Sequence, residues 1–492
     1  MDEYLLLTAL ILPLISSPIP HLLKGRRSGR FTFIILLIST IFISYLLVQS
    51  YLNPNREPCI VWYSWSPDLG LTFGLNGDGL GLFMSFTIVI LATLISLYSI
   101  KYMEHEDGIG TYFTLYLLYS AGMIGSVLAS DLIEFYLFFE LMLIPSWALI
   151  NQWGTGLREK VAFKYFIYTH VGALSLLIGI LATGMVYGTF DLFEIQRLLS
   201  KGFKPDPTLG QIAALLMLLG LMVKLAIFPF HTWLPDAHAE APTPISALLS
   251  PAMIGIGGYG ILRFVYGSYP HIVTNFSSIL ILQSLFTMIY GGLMALRQSD
   301  LKRLLAYSSI SQMGYILFGI ATNSPLAIVG SMLHYFSHAT CKAMLFLVSG
   351  IFMHEIHVRE IDRLGGLASK MPYTAVAMVI GFLGIAGTPP FNGFQSEWMI
   401  FSGALLYSTP DFAARSAIVG FALISTAITA SYGLWTIKRT LFGPRSWNSH
   451  IKEASILMVA PLILLALLTV LIGIYPQPLI TPISSTIKPF SR

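Results

Sequence analysis

Several ionisable side chains lie in the middle of long apolar segments of this chain. Holding a charge at the centre of a bilayer costs about 2.5 kcal/mol or more, so a residue kept there is a candidate for a function. Carboxylates, amines and imidazoles at such depth could take up and release protons, or bind sodium ions. The candidates are Glu140, Lys164, Lys224, His334, His338, Lys342 and Glu397.

Glu140, in FYLFFELMLIPSW, and Lys224, in LGLMVKLAIFPFHTW, could act as a pair. Burial disfavours the charged form of each group, whereas a nearby opposite charge favours it. Withdrawing Glu140 would make Lys224 release a proton, and its return would let Lys224 reload. The alternative is a static salt bridge that locks two helices together. Buried pairs are weak stabilisers, which favours the conducting interpretation.

His334, His338 and Lys342 recur at every fourth position of HYFSHATCKAMLFLVSG. In a helix, each such step turns the side chain by only about 40°, and the set climbs about 12 Å along one face. A lone histidine in an apolar helix is more often a packing residue. Three titratable groups on one face, ending in a lysine, instead favour a path for protons.

Glu397 and Lys164 each have an alternative interpretation. Glu397 follows a run of helix breakers that could admit water, whereas Lys164 lies near the predicted cytoplasmic end of its segment and could extend to the membrane surface. Asp78, in LNGDGLGL, is expected to cap the start of a helix.

The composition is that of a membrane protein. Of the 492 residues, 55% are hydrophobic and 11% are charged, and the mean hydropathy is +0.73. A soluble domain carries about 25% charged residues, so this chain has too few to build a surface in water. The net charge of +4 indicates no nucleic-acid partner.

The same sequence predicts no cofactor, no metal site and no redox centre in this chain. Its two cysteines, Cys59 and Cys341, lack CxxC or cysteine–histidine spacing. There is no GxGxxG before a predicted helix and no Walker A motif. Whether the protein takes part in an enzyme therefore stays open, since any redox chemistry would belong to other subunits.

Stretches of about 20 apolar residues are long enough to cross a bilayer as helices. Fourteen are predicted, at 4–23, 31–52, 80–100, 111–129, 132–152, 163–187, 210–234, 243–268, 276–296, 303–322, 326–352, 373–407, 415–437 and 454–475. Lysine and arginine are concentrated in alternate connections, which predicts that those connections are cytoplasmic and that both termini lie outside. The predicted fold class is therefore an all-α integral membrane protein.

Two of these spans contain helix breakers. The seventh runs through KLAIFPFHTWLPDAHAEAPTP and the twelfth through GIAGTPPFNGFQSEW. Broken helices in matching positions of two halves are typical of transporters. A five-helix repeat places the breaks in register, and its odd number of crossings makes the repeat inverted. The expected organisation is a single membrane domain, 1–492, with pseudo-repeats at about 111–268 and 276–437 and flanking helices at 4–100 and 454–475.

The chain resembles the antiporter-like subunits of the complex I superfamily. These include chain 4 (subunit M) of NADH–quinone oxidoreductase, the D subunit of Mrp sodium/proton antiporters and subunits of archaeal membrane-bound hydrogenases and sulfane reductases. The resemblance covers roughly residues 75–405. It is carried by the segments LIEFYLFFELMLIPSWALINQWG, KLAIFPFHTWLPDAHAEAPTPISALL, SDLKRLLAYSSISQMGYILFGI, HYFSHATCKAMLFLVSG and GTPPFNGFQSEWMIF.

The resemblance implies fourteen helices with inverted repeats and a role for each candidate. Glu140 and Lys224 become the key pair of one half-channel, with Lys164 as a nearby modulator. The ladder on the eleventh span becomes the central connection, and Glu397 the terminal acid of the other half-channel.

One departure from the family pattern concerns the eighth span. Ser250 and Gly255 stand where members usually carry a lysine or histidine. The connection from Lys224 to the ladder would then use water, a neighbouring helix, or the histidines His231 and His238. Alternatively, this copy does not complete a proton path.

The leading hypothesis is a proton- or sodium-translocating subunit of a respiratory redox complex in the cytoplasmic membrane. Its expected partners are other membrane subunits, a peripheral redox arm, lipid and the transported ions. A subunit of a stand-alone Mrp-type sodium/proton antiporter is the transporter alternative. A membrane scaffold that conducts nothing is the alternative from another class, and the eighth span is its main support.

Overall fold

The apolar runs fold as helices because a helix satisfies its own backbone hydrogen bonds where water is absent. The computed structural model describes residues 1–66, 71–407, 412–444 and 451–487. The first helices are α1 (Asp2–Ser16), α2 (Ile19–Leu22), α3 (Arg26–Leu52), α4 (Gly79–Tyr102), α5 (Ile109–Leu128), α6 (Leu132–Trp153), α7 (Arg158–Tyr187), α8 (Leu192–Ser200), α9 (Pro207–Lys224), α10 (Leu234–Glu240), α11 (Thr243–Leu248) and α12 (Gly255–Gly260).

The second half of the chain is also helical. Its helices are α13 (Pro270–Asn275), α14 (Ser277–Leu296), α15 (Leu301–Ala321), α16 (Pro325–Ile356), α17 (Pro372–Ile385), α18 (Asn392–Tyr407), α19 (Phe412–Leu441), α20 (Ile456–Ile474) and α21 (Gln477–Ile487). Short π-helical segments at Leu249–Met253 and Ile261–Tyr266 flank α12, and single 3₁₀ turns lie at Ile361–Arg363 and Leu367–Ser369.

Thirteen helical segments of the described residues are long and apolar enough to cross a membrane. They confirm the predicted class, a multi-pass helical membrane protein. The remaining predicted span, 373–407, is divided between α17 and α18, each shorter than a full crossing. The total of fourteen spans stays a prediction.

A β-hairpin that the sequence analysis did not predict precedes α4. Its strands, β1 (Cys59–Ser66) and β2 (Leu71–Gly77), pair antiparallel, with Cys59 opposite Gly77. The amide of Gly74 in β2 donates a hydrogen bond of 3.0 Å to the buried carboxylate of Glu134 on α6. The hairpin is thereby attached to the helical bundle.

The interior of the bundle is formed by the eighth, tenth and eleventh spans. All of Thr243–Tyr266 is buried, as is 94% of the most apolar stretch of both α15 and α16. The corresponding value for α19 is only 28%, so α19 lies at the periphery. The titratable ladder predicted on the eleventh span therefore lies on one of the most enclosed helices of the protein.

The predicted break of the seventh span is confirmed. Helix α9 ends at Lys224, Ala226 has a φ of 56°, and Pro229 follows a cis peptide bond. The chain resumes a helical course only at α10. The carbonyl of Val223, in the last turn of α9, accepts a hydrogen bond of 3.1 Å from the indole of Trp233 and one of 3.2 Å from the amide of Ala226. The break is thus stabilised inside the protein, as a membrane setting requires.

The predicted break of the twelfth span is also confirmed, and it has the same local form. Helix α17 ends at Ile385, Gly387 has a φ of 64°, and Pro390 follows a cis peptide bond. In both breaks, the positive φ falls two residues after the helix end and the proline falls five residues after it. The two broken spans therefore match residue by residue at their breaks.

Two isolated backbone bridges provide a second match between the halves. Asp131, before α6, is bridged to Asp191, after α7; Asp300, before α15, is bridged to Glu360, after α16. Each bridge closes a two-helix unit at an equivalent place, as expected for an internal repeat.

Candidate functional site

Lys224 is the last residue of α9 and is buried beside the break. Its ammonium lies 4.8 Å from the centroid of the Phe139 ring on α6, a cation–π contact that replaces part of the lost hydration. Glu140 is the next residue on α6. The structure thus brings the two members of the predicted pair to neighbouring positions.

Glu140 nevertheless has a different direct partner. Its Oε2 lies 3.2 Å from Nδ1 of His170 on α7, and His170 stacks on Phe166 at 5.5 Å. Among the ion pairs of the described residues, none joins Glu140 to Lys224. The other carboxylate oxygen, Oε1, is buried without a hydrogen-bond partner in the protein. No role was predicted for His170, although an ionisable side chain within an apolar segment was a signal.

Lys164 binds the distal half of the broken helix. Its ammonium lies 2.7 Å from Oδ2 of Asp236 on α10 and 2.9 Å from the carbonyl of Thr232. The other oxygen of Asp236 lies 3.1 Å from Arg303 of α15. Asp236, which the sequence analysis did not single out, therefore connects the two halves of the chain.

The three members of the ladder on α16 are all fully buried. Lys342 donates to the carbonyl of Leu305 at 3.0 Å and to the hydroxyl of Ser308 at 2.5 Å. His338 is different, because neither of its ring nitrogens has a hydrogen-bond partner in the protein.

His334, at the other end of the ladder, is held from both sides. Its Nδ1 lies 3.0 Å from Ser396 Oγ, and its Nε2 lies 2.8 Å from Gln312 Oε1. The ring also stacks on Tyr315 at 5.1 Å. Of the three ladder residues, only the central His338 is free of side-chain or backbone hydrogen bonds within the described protein.

Glu397 follows the second break, on α18, and is buried. Its Oε2 accepts a hydrogen bond of 2.9 Å from Thr426, whose hydroxyl is also 3.1 Å from that of Tyr315. Oε1 of Glu397 has no partner in the protein. Tyr315 thus contacts His334 by ring stacking, and its hydroxyl is linked to Glu397 through that of Thr426.

The eighth span has no room for an ionisable side chain at position 255. A Cβ added to Gly255 would lie 2.1 Å from the ring of Tyr335. Ser250 is hydrogen-bonded at 2.7 Å to Ser309. At Gly255, the close packing of Tyr335 thus leaves no space for a larger side chain.

The two histidines after the first break are both buried. His238, on α10, is fully buried against Phe346 of α16 at 4.9 Å, and neither of its ring nitrogens has a partner in the protein. His231 stacks on Phe228 at 5.5 Å and also leaves Nδ1 unpartnered. His238 is thus the titratable side chain that the first broken helix presents to the helix of the ladder.

Asp78 caps α4 as expected, accepting a hydrogen bond of 2.8 Å from the amide of Gly81. It has a second role that the sequence did not indicate. Both of its oxygens pair with the guanidinium of Arg263, at 2.5 and 2.6 Å, and both side chains are buried. This bidentate pair joins the third and eighth spans.

The described residues contain no group of three or more histidine, cysteine, aspartate or glutamate side chains that could hold a metal ion. What the arrangement offers chemically is a series of buried and partly buried acids and bases. It runs from Glu140 and Lys224 at the first break to Glu397 at the second.

The fold and this series define a multi-pass membrane protein with titratable groups buried between two broken helices. Residues 129–429 match the family described as NADH:quinone oxidoreductase/Mrp antiporter, TM. Residues 62–113 match the N-terminal family of chain 5 of NADH–ubiquinone oxidoreductase (complex I).

Individual relatives agree with this assignment. The chain is 34% identical to the F(420)H(2) dehydrogenase subunit M of Methanosarcina mazei, with 88% of each chain covered. It is 31% identical to the NADH-quinone oxidoreductase subunit M of Rickettsia prowazekii, over 90% of this chain and 89% of that one. The fold is similar to a chain of the membrane-bound sulfane sulfur reductase, an archaeal respiratory complex, with 26% identity, a TM-score of 0.88 and coverage of 100% and 98%. The chain belongs to the family of antiporter-like membrane subunits shared by NADH:quinone oxidoreductases and Mrp antiporters.

Proposed function

We propose that this protein translocates protons, or sodium ions, as a membrane subunit of a respiratory redox complex. Electron transfer would take place in other subunits and would drive ion movement here. The observation that carries the proposal is the series of buried titratable side chains between the two breaks. Such groups are costly to hold in a membrane interior, so their presence there indicates a function.

The proposed path begins at Glu140 and Lys224. Lys224 lies at a helix end, where the polar backbone of the break can support water. From there, the ion or proton would pass by His231 and His238 to the ladder. His238 takes the place of the base missing from the eighth span, because it lies against the helix that carries His338.

In the second half of the path, His338 would exchange protons with Lys342 and His334. Buried polar atoms are normally paired with protein or ordered water, so the unpartnered nitrogens of His238 and His338 are places where water is expected. From His334, the connection through Tyr315 and Thr426 leads to Glu397. Lys164 would tune the first half through Asp236.

The organisation proposed for the chain is a pair of inverted five-helix repeats, at about 111–268 and 276–437. The matching breaks and backbone bridges support it. We further propose that the protein lies in the cytoplasmic membrane with both termini on the outer face, which the distribution of lysine and arginine supports.

The test is ion uptake by membrane vesicles that contain the intact complex, driven by the electron donor that the complex oxidises. Lys224→Ala should reduce uptake by about tenfold or more while leaving assembly normal. Lys160→Ala is the matched control, since Lys160 is an exposed lysine at the start of α7. Undiminished uptake in an assembled Lys224→Ala complex would contradict the proposal.

A non-conducting scaffold is the second candidate, and the packing at Gly255 favours it, because a base is excluded there. In that case Lys224→Ala and Glu397→Gln would both leave uptake unchanged.

Repeating the assay in sodium-free and sodium-containing buffer identifies the ion. Uptake that persists without electron donor, driven by an imposed sodium gradient, would instead indicate an Mrp-type exchanger.

A further inference from the structure

Helix α10 (Leu234–Glu240), the distal half of the first broken span, ends inside the protein. The last carbonyls of any helix have no partner within it, and they carry a partial negative charge. Here the chain leaves the helix through Ala241 and Pro242. The free carbonyls at this end therefore need donors from elsewhere.

Two cations supply those donors. The ammonium of Lys302 lies 2.5 Å from the carbonyl of Ala241 and 3.4 Å from that of Ala239. The guanidinium of Arg359 donates to Ala239 at 3.1 Å. The carbonyl of Glu240 accepts from the amide of Thr155 at 2.8 Å. Cationic groups at the C-terminal end of a helix also interact favourably with its dipole.

Both cations belong to the other half of the chain. Lys302 lies in the first turn of α15, in the SDLKRLLAYSS segment, and Arg359 follows α16. The backbone bridge fixes them beside each other, with Leu301 donating to the carbonyl of Arg359 at 3.0 Å. Arg359 is also paired with Asp300 at 2.7 Å.

The equivalent bridge in the first half shows that the backbone bridge itself does not require these cations. There, Leu132 donates to the carbonyl of Phe190 at 3.0 Å, the same bond that Leu301 makes to Arg359. Phe190 thus stands where the second half has Arg359, and Ile133 stands where it has Lys302. Equivalent backbone bonds close both bridges, but apolar residues in the first half occupy the positions that cations occupy in the second.

Lys302 is only 3% exposed, so its charge is held at a cost in desolvation. The helix that it caps carries Asp236 and His238, two groups of the proposed ion path. Arg303, the next residue, binds Asp236 directly. The start of α15 thus holds α10 both at its end and at its side.

We propose that Lys302 and Arg359 are positioning residues that couple the two half-channels through the end of α10. They hold His238 against the ladder helix, and a shift of α15 or α16 moves α10 with it. This inference depends on the proposed function, since it assigns to the two cations the link between the halves of that path.

The experiment compares Lys302→Met, Lys302→Arg and Arg359→Gln in the intact complex. Arg297→Met is the control, because Arg297 is an exposed cation that precedes the same bridge. Two quantities are measured: ions taken up per electron transferred, and hydrogen exchange of the backbone amides of residues 234–241, followed by mass spectrometry. Coupling between sites commonly amounts to about fivefold or more, which sets the size of the effect to expect.

Lys302→Met should lower the uptake per electron about fivefold and raise amide exchange in 234–241, while Lys302→Arg should restore most of both. Arg359→Gln changes a less buried side chain and should show the same changes to a smaller degree. It replaces Lys302→Met as the test variant if Lys302→Met does not assemble. If Lys302→Met raises amide exchange but leaves uptake per electron unchanged, the cations have only a structural role and the proposal is overturned. Unchanged amide exchange in Lys302→Met would also overturn it. If the wild-type complex moved no ions at all, the proposed function would fail, and the exchange data would still decide whether the cations position α10.

Discussion

Glu140 Oε2 lies 3.2 Å from His170 Nδ1, on the face of the bundle formed by α6 and α7. The histidine side chain is 37% exposed and the glutamate side chain 19%. Apolar side chains around them, such as Leu137, Ile144 and Val171, are also exposed. Glu140, which the proposed path pairs with the interior Lys224, is thus bound directly to a histidine on the lateral surface of the bundle.

This contact predicts that His170 acts through Glu140. Glu140→Gln should reduce ion uptake by about tenfold or more, and His170→Phe by a smaller factor. Because both changes disturb one interaction, their effects should not add, and the double variant should pump as Glu140→Gln does. Uptake by vesicles is the measurement. If the fold reductions in uptake of the two single variants multiply in the double variant, His170 works independently of Glu140.

Glu397 should be essential to the second half-channel, with Thr426 in support. Glu397→Gln removes the titrating group and should reduce uptake by about tenfold or more. Thr426→Val removes the hydroxyl that donates to Oε2 and links to Tyr315, so a loss of about twofold to fivefold is expected. Ser431→Ala is the control, since Ser431 is an exposed hydroxyl on the same helix. Equal losses in Thr426→Val and Ser431→Ala would remove Thr426 from the path.

The packing of Gly255 predicts that the eighth span cannot accept the family's base at that position. Gly255→Lys, and even Gly255→Ala, should destabilise the protein, by about 1–3 kcal/mol for the smaller residue, because Tyr335 would have to move. Gly420→Ala is the control, as an added Cβ there has no neighbour within 4 Å. Thermal unfolding in detergent is the measurement. A Gly255→Ala protein as stable as wild type would show that the Tyr335 ring moves aside at little cost, which would contradict the prediction.

The buried pair of Arg263 and Asp78 predicts a large asymmetry between single and double substitutions. Arg263→Met leaves an unpaired buried carboxylate and should cost about 3–5 kcal/mol. Adding Asp78→Asn removes that charge and should recover part of the loss, although the asparagine must still cap α4. Unfolding of the purified protein measures both. A double variant less stable than Arg263→Met alone would contradict this account.

Much of the architecture could be predicted because its causes are local. Apolar length decides which segments can span a bilayer, and Pro229 and Pro390 mark the two breaks in their own neighbourhoods. The spacing of His334, His338 and Lys342 follows from the period of a helix. Capping by Asp78 is local in the same sense. The β-hairpin was missed because its strands pair at a position between predicted spans, where hydropathy carries little information.

The tertiary structure alone decided which of these groups meet. The order of residues along the chain predicts that Glu140 and Lys224 lie within membrane spans, because hydropathy is a property of each segment. It did not show that Glu140 contacts His170, or that Lys302 reaches the end of α10 more than sixty residues away in sequence. Those contacts depend on how the helices rotate and pack against one another. The packing of each helix depends on all of its neighbours, so it cannot be read from any one segment.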